Sequence, residues 1–470
     1  MASGAKRLSF DAGTLLLEGL GPSALEVAGS AIPWAWDPRV GAWRTDACHY
    51  VAACLDLGEA VGPEGDSVGR WRPVRWPKTS PSRLRPDQLE ALGAWAAQRR
   101  GVVVMPTGTG KTEVALQIMA DTAVSTLVVA PVRDLMYQWH RRILERLDYD
   151  AGIIGDNVFR VRSVSVTTYD SASIHMDKLG DRFALVVFDE CHHLPGSVFR
   201  DAARMSASPM RLGLTATPER SDGREVDLEW LVGRTVYQMP ISAARGKTLA
   251  EYEVVRIPVH LSPPEQARYD RLSRIVRSTL ARHRKIDPGV TWRDLCTRSG
   301  ATPEGRRAIK AYYAKKAIED RAEEKLRVLE DLFRLHLSQP CLVFAGSNAM
   351  ARDVSRRFLI PCLLSHCRKH ERLEILRGVS GGTYPALVAN RVLDEGVDLP
   401  EVKVAVVIGG TASSRQAKQR LGRILRKSGN ARAVLYEVVC ADTNEEQRSR
   451  RRRASDAYQK TRRWKPKERP

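Results

Sequence analysis

The segment that most constrains this chain is Pro106-Thr107-Gly108-Thr109-Gly110-Lys111-Thr112, which follows the apolar run Val102-Val103-Val104-Met105 directly. The apolar run predicts a buried strand, and the spacing of Glu113-Val114-Ala115-Leu116-Gln117-Ile118 predicts a helix after it. Strand, glycine-rich turn and helix together make a phosphate cradle. Thr107, Gly108, Thr109 and Gly110 let backbone N–H groups converge at a helix N-terminus, where the dipole also favours negative charge. Lys111 is expected to reach the β/γ-phosphates, and the Thr112 hydroxyl to ligate Mg²⁺. The strict pattern opens on a glycine, and Met105 stands in that place. A strand-to-helix turn without a ligand is the plainer alternative.

A second apolar run, Leu185-Val186-Val187-Phe188, ends in Asp189-Glu190-Cys191-His192. A carboxylate at the C-terminal end of such a strand can hold Mg²⁺ opposite Thr112. Glu190 is then placed to orient and deprotonate an attacking water. The two acids turn an expectation of nucleotide binding into one of hydrolysis.

With 470 residues, the chain has room for two or three domains of the usual ~100–200 residues each. Its 43% hydrophobic and 28% charged residues are ordinary for a globular protein. Its formal net charge of +20 is not. That surplus predicts attraction to a polyanion, nucleic acid before an acidic membrane face, with a general excess of arginine as the alternative. No run approaches the ~18 apolar residues of a membrane span. Asp11 and Glu18 interrupt the N-terminal apolar stretch, which does not read as a signal peptide. The eight cysteines are scattered, several within apolar runs, and predict reduced thiols in the cytoplasm. Cys362, His366 and Cys367 lack a fourth ligand at zinc spacing. The expected location is cytoplasmic and nucleoid-associated.

Residues 1–80 combine short apolar runs, Trp34-Ala35-Trp36-Asp37-Pro38-Arg39, Trp43-Arg44 and a basic Gly/Pro linker, which predicts a small module of its own. From 81 to 245, apolar runs at Val102–Met105, Thr126–Ala130, Ser163–Thr167, Ala184–Phe188 and Arg211–Thr215 alternate with amphipathic segments. The alternation recurs over 246–446 at Cys341–Ala345, Ala386–Ala389, Val402–Ile408 and Ala433–Val438. Both sets predict parallel sheets covered by helices. Between them, Ser262-Pro263-Pro264-Glu265 and Thr302-Pro303-Glu304 open helices within an insertion at 262–335. Residues 447–470, with Arg450 to Arg453, read as a disordered basic tail.

On these motifs the chain resembles superfamily 2 helicases and translocases. Leu84-Arg85-Pro86-Asp87-Gln88 is similar to the motif that reads adenine, so ATP is implied, with Arg85 and Gln88 beside it. The segment Ala130-Pro131-Val132-Arg133 with Gln138-Trp139, and Ser165-Val166-Thr167-Thr168-Tyr169, resemble the nucleic-acid-facing motifs, carried by Pro131, Arg133 and Thr168. Leu214-Thr215-Ala216-Thr217-Pro218 resembles the segment that couples hydrolysis to motion through Thr215 and Thr217. Leu393 to Pro400 resembles the motif that touches nucleic acid and ribose, which implies Gly396 and Asp398. Gln419-Arg420-Leu421-Gly422-Arg423-Ile424-Leu425-Arg426 resembles the arginine-finger motif, implying catalytic roles for Gln419, Arg423 and Arg426. Such fingers contribute ~10³-fold or more in rate. The resemblance implies an α/β fold of two RecA-like parallel-sheet lobes, with ATP and Mg²⁺ between them.

The branch of closest resemblance is the XPB type. The arginine-finger motif is nearer to it than to the histidine-led motif of RNA-directed DEAD-box proteins, and Trp36-Asp37-Pro38-Arg39 with Trp43-Arg44 looks like its damage-recognition module. The insertion at 262–335 falls where that branch carries a thumb-like element. Its Arg-Glu-Asp is here Arg220-Ser221-Asp222. The implied activity is an ATP-dependent DNA helicase or translocase, moving 3′ to 5′ on single-stranded or forked DNA in repair. A duplex translocase that serves a nuclease, an ATP-gated clamp, and RNA as the track are the alternatives. For Trp34, Trp36 and Trp43, stacking on unpaired bases and forming a small core are both open, with core expected for at least two.

Overall fold

The computed structural model describes residues 6–23, 31–77, 83–220, 222–244, 250–298, 302–364, 366–390, 402–409, 432–453 and 461–463. The chain divides into two compact units, Met1–Ala243 and Ala244–Pro470.

The first unit opens with β1 (Arg7–Asp11), β2 (Thr14–Glu18), β3 (Ala35–Asp37) and β4 (Ala42–Asp46), an antiparallel sheet in the order β1-β2-β4-β3. Alternation along β2 buries Leu15 and Leu17 on one face, and they meet Leu8, Trp43 and the Tyr50, Ala53 and Leu57 side of the helix Tyr50–Gly65. Of the three tryptophans Trp43 is core, and Trp34 and Trp36, partly buried, pack against that core. Trp43 is buried and donates its indole N–H to Gly21 O at 3.1 Å, Trp36 meets it edge-on at 5.6 Å, and Trp34 packs on the same cluster. The Asp37 carboxylate accepts from Arg39 Nε and Nη2 at 2.8 Å each and from Arg44 Nε at 3.2 Å. The Trp-Asp-Pro-Arg stretch therefore closes the β3–β4 turn.

The larger sheet of this unit holds β5 (Arg100–Val104), β6 (Thr126–Ala130), β7 (Gly152–Gly155), β8 (Val158–Arg160), β9 (Val164–Thr168), β10 (Leu185–Asp189), β11 (Met210–Thr215) and β12 (Thr235–Gln238). Its order is β12-β5-β11-β10-β6-β9-β7-β8, and every pairing is parallel except the β7–β8 hairpin. Strands β6, β9, β10 and β11 are buried along their whole length, as near-continuous apolar runs require when helices cover both faces. Strand β11 lies between β5 and β10, so Thr215 at its end separates the phosphate loop from Asp189.

The N-terminal module seats at the opposite end of the strands of this sheet. Trp71 donates its indole N–H to Asp181 O at 2.8 Å, and Ala207 belongs to the module's core cluster. These loops lead into β10 and β11, one strand length, about 16 Å, from the strand ends that carry the acids.

The second unit has seven parallel strands: β13 (Tyr252–Val259), β14 (Cys341–Phe344), β15 (Cys362–Leu363), β16 (Ala386–Ala389), β17 (Val404–Val407), β18 (Ala433–Cys440) and β19 (Thr461–Arg463), in the order β15-β16-β14-β17-β18-β13-β19. Between β13 and β14 come helices Pro263–Ile286, Trp292–Arg298 and Pro303–Asp320. Ser262 N donates to Glu265 Oε2 at 2.9 Å, and Thr302 Oγ1 accepts from Gly305 N at 3.0 Å, as the two capping sequences predict.

Two expectations are corrected here. The insertion expected at 262–335 does not reach 335: its last helix ends at Asp320, and Glu323–Leu335 is a separate helix whose Val328, Leu329 and Leu332 pack into the core around the strands. That helix is part of the lobe, so the insertion closes near residue 321. Nor is the chain from 447 a disordered tail throughout. Helix Asn444–Arg453 covers its start, and Thr461–Arg463 pairs with β13. Charge hid this order because its partners are distant in sequence: Arg448 donates to Glu319, and Ser449 Oγ donates to Glu437 Oε2 at 2.8 Å.

Candidate nucleotide site

The phosphate loop leaves the end of β5 and enters the helix Lys111–Thr122. Met105, in the place of the pattern's first glycine, is fully buried; its N–H donates to Thr215 O at 3.0 Å and its carbonyl accepts from Lys111 Nζ at 3.0 Å. It extends the strand, and a side chain there meets only core. Gly110 differs. It has φ +80°, and a Cβ would lie 2.5 Å from Gln88 Nε2. Gln88 is buried, its Nε2 donating to Thr109 O and Gly110 O at 3.1 and 3.2 Å and its Oε1 accepting from Arg85 N at 3.0 Å. Arg85 Nη2 donates to Thr109 O at 2.5 Å. The pair expected beside adenine thus braces the backbone of the loop.

The loop is built for an anion. Thr107 Oγ1 is buried without a hydrogen-bond partner, and Gly108 shares the positive φ of Gly110. A twelve-residue helix points its N-terminus at the same place, and Lys111 and Thr112 are its first two residues. These residues fit a triphosphate. Thr112 with Asp189 fits the hard, oxygen-seeking Mg²⁺.

Asp189 is buried at the end of β10. Its Oδ1 accepts from Glu190 N at 3.0 Å and its Oδ2 from the Trp139 indole N–H at 2.8 Å. Burial, and then the Glu190 carboxylate beside it, push its carboxyl up to about 6, against the pull of Trp139 and Lys111. Glu190 adopts a left-handed conformation, φ 49° and ψ 52°, which turns the chain sharply away from the strand. His192, fully buried, places Nδ1 3.3 Å from Glu190 Oε2 and 3.0 Å from Thr215 Oγ1. Thr215 Oγ1 donates to Thr217 O at 3.1 Å, so the coupling segment is tied to the acids. Arg220 forms a two-pronged pair with Asp222, 2.8 and 2.6 Å, and reaches His192 O at 2.5 Å.

The residues expected to face nucleic acid divide. Pro131 lies between β6 and the helix Arg133–Leu147, which Arg133 begins; Arg133 is largely exposed, with Nη1 2.6 Å from Asp156 Oδ1. Thr168 is buried and its hydroxyl caps the helix Tyr169–Leu179 through Ser171 N at 3.3 Å, a structural part that a surface reading does not anticipate. Gly396, Asp398, Gln419, Arg423 and Arg426 lie outside the described residues. Motif reading gave Trp139 and His192 no individual role. Trp139 sits on the apolar stripe of an amphipathic helix and reads as core; only its indole N–H sets it apart.

Three family models match the chain: Xeroderma pigmentosum group B helicase damage recognition domain over residues 8–60, Type III restriction enzyme, res subunit over 82–220, and ERCC3/RAD25/XPB C-terminal helicase over 312–458. The DNA 3′-5′ translocase XPB2 of Sulfurisphaera tokodaii is 40% identical over 371 residues, covering 79% of this chain and 84% of that protein. The chain belongs to the XPB family. Its membership of the XPB family makes it an ATP-hydrolysing enzyme of the DNA helicase and translocase class. Among XPB relatives, the DNA 3′-5′ helicase XPB of Kineococcus radiotolerans is 30% identical over 377 residues, 77% of this chain but 61% of that protein. In fold, this XPB-family chain resembles the Pyrococcus furiosus Hef helicase domain (TM-score 0.51, 16% identity, 77% of this chain and 97% of that one). It also resembles Saccharomyces cerevisiae Dbp5 bound to RNA and ADP BeF3 (TM-score 0.56, 14% identity, 82% and 90%). Two RecA-like lobes are the architecture these share. Among the described residues no helix is long and apolar enough to cross a membrane.

Proposed function

We propose that this chain hydrolyses ATP to move 3′ to 5′ along one strand of DNA, opening forked duplex in repair. The observation that carries the reading is the convergence of phosphate loop, acids and coupling segment at the ends of three adjoining strands, β5, β11 and β10. Lys111 and the loop amides hold the phosphates. Asp189 and Thr112 hold Mg²⁺, which when bound draws charge from the phosphate oxygens. Glu190 orients the water and takes its proton, and Arg423 and Arg426 supply the remaining positive charge, the role their motif implies. The relatives named as DNA 3′-5′ translocase and helicase support the track and polarity. The formal charge of +20 supports a polyanionic track.

The test is ATPase rate with single-stranded DNA, duplex DNA and RNA, alongside unwinding of 3′- and 5′-tailed duplexes. DNA stimulation with unwinding of the 3′-tailed substrate supports the reading, and stimulation by RNA alone overturns it. A second reading, a duplex translocase that works with a nuclease, draws on the restriction-enzyme match over 82–220. Stimulation by duplex without unwinding selects it.

A further inference from the structure

The helix Arg133–Leu147 starts at the residues expected to meet DNA and runs back along the nucleotide site. Two of its side chains reach that site. Arg142 Nη1 pairs at 3.0 Å with Glu113 Oε1, in the first turn of the phosphate-loop helix. Trp139, 2% exposed, donates its indole N–H to Asp189 Oδ2 at 2.8 Å. This donor is neutral and rigid. The ring is almost wholly buried, so the N–H direction is set by packing, and with it the plane of the carboxylate.

Asp189 has two oxygens, and each accepts one N–H: Oδ1 from Glu190 N, Oδ2 from Trp139. A carboxylate oxygen carries two lone pairs, so one on each remains for a cation. A buried carboxylate without such donors is free to turn about its Cβ–Cγ bond, at a cost to metal affinity. A lysine or arginine in place of the indole would orient it equally well but would cancel the charge that attracts Mg²⁺. Indole orients without neutralising.

We propose that Trp139 is a positioning residue for the magnesium-binding carboxylate, holding Asp189 in its ligating rotamer from a helix whose other end faces DNA. The proposal rests on the ATP-site reading above. Outer-sphere partners of metal ligands contribute ~10–100-fold in metal affinity or activity. Fluorescent ADP analogue binding to the full chain is therefore measured against Mg²⁺ concentration, for wild type, Trp139→Phe and Trp139→His. Phe keeps most of the ring without a donor, and His keeps a ring N–H with less volume. Trp139→Phe is expected to raise the Mg²⁺ midpoint roughly tenfold while binding in EDTA stays within about twofold. Trp139→His is expected to fall between Phe and wild type. A wild-type midpoint in Trp139→Phe overturns the proposal, and so does an equal shift in both variants, which would assign the effect to packing. If Trp139→Phe does not fold, Trp139→His decides alone: a midpoint below that of Asp189→Asn supports the proposal, and one equal to it overturns it. Wild type without Mg²⁺-dependent nucleotide binding would instead overturn the ATP-site reading itself.

Discussion

His192 Nδ1 stands 3.0 Å from Thr215 Oγ1, joining the acidic tetrad to the coupling segment across the β10–β11 pairing. With the Thr215 hydroxyl directed at Thr217 O, Nδ1 is assigned as the protonated nitrogen that donates to Thr215 Oγ1, and Glu190 Oε2 lies 3.3 Å from it. In the proposed mechanism a change at Glu190 would reach Thr215 through His192, which lies against both. His192→Ala is expected to keep basal ATPase within about threefold and to lose roughly tenfold in DNA stimulation, since coupling between sites is commonly ~5–150-fold. Steady-state ATPase with and without single-stranded DNA checks it; equal losses in both would reduce His192 to a core residue.

Lys111→Ala is expected to abolish ATP turnover and to leave DNA binding at low salt largely intact. Lys111 meets Met105 O within its own loop, so its removal disturbs little beyond the phosphate site. Parallel ATPase and DNA-binding titrations test this, and unchanged turnover would remove the mechanism.

The Arg39 guanidinium, with Arg44 behind it, holds the Asp37 carboxyl well below the usual carboxylate range. A folded pKa lowered in this way gives stability that is full above the ordinary value and is lost as pH falls through and below it. Wild type is therefore expected to lose melting temperature below about pH 4. Asp37→Asn starts lower at pH 7 and follows a flatter acid profile. Thermal melts from pH 7 to 3, with the tryptophan emission of this module as reporter, make the comparison.

Lys325 and Glu445 are both buried and paired at 2.7 Å; Lys325 also donates to Ile408 O, and Glu445 accepts from Cys440 N. Removing one partner strands a charge, so Lys325→Met is expected to cost about 3–5 kcal/mol. Lys325→Met with Glu445→Leu should cost less than either single change, but not zero, because Ile408 O and Cys440 N lose their partners. Urea unfolding of the three variants separates these outcomes.

What could be read ahead of the structure was local. Thr107 to Thr112 and Asp189-Glu190 carry their chemistry in adjacent residues after apolar strands, and both stand at strand ends as expected. Strand β13 was missed because Glu253 and Arg256 interrupt its apolar run, and Arg256 finds its partner in Glu446, 190 residues away. The helix after Asn444 was missed for the same reason, since Arg448 and Ser449 answer to Glu319 and Glu437. At the site, the Trp139–Asp189 and His192–Thr215 contacts exist only once β6, β10 and β11 lie side by side. No spacing along the chain encodes them.

The seating of the N-terminal module has a mechanical consequence. A Cβ on Gly180 would press within 2.7 Å of the Phe10 ring, and one on Gly13 within 2.4 Å of Met205, so the joint is as close as an interior. Phe10 and Met205 fill the joint. A strand gripped by this module would load the first lobe as a rigid lever, from the end of the sheet farthest from its fuel.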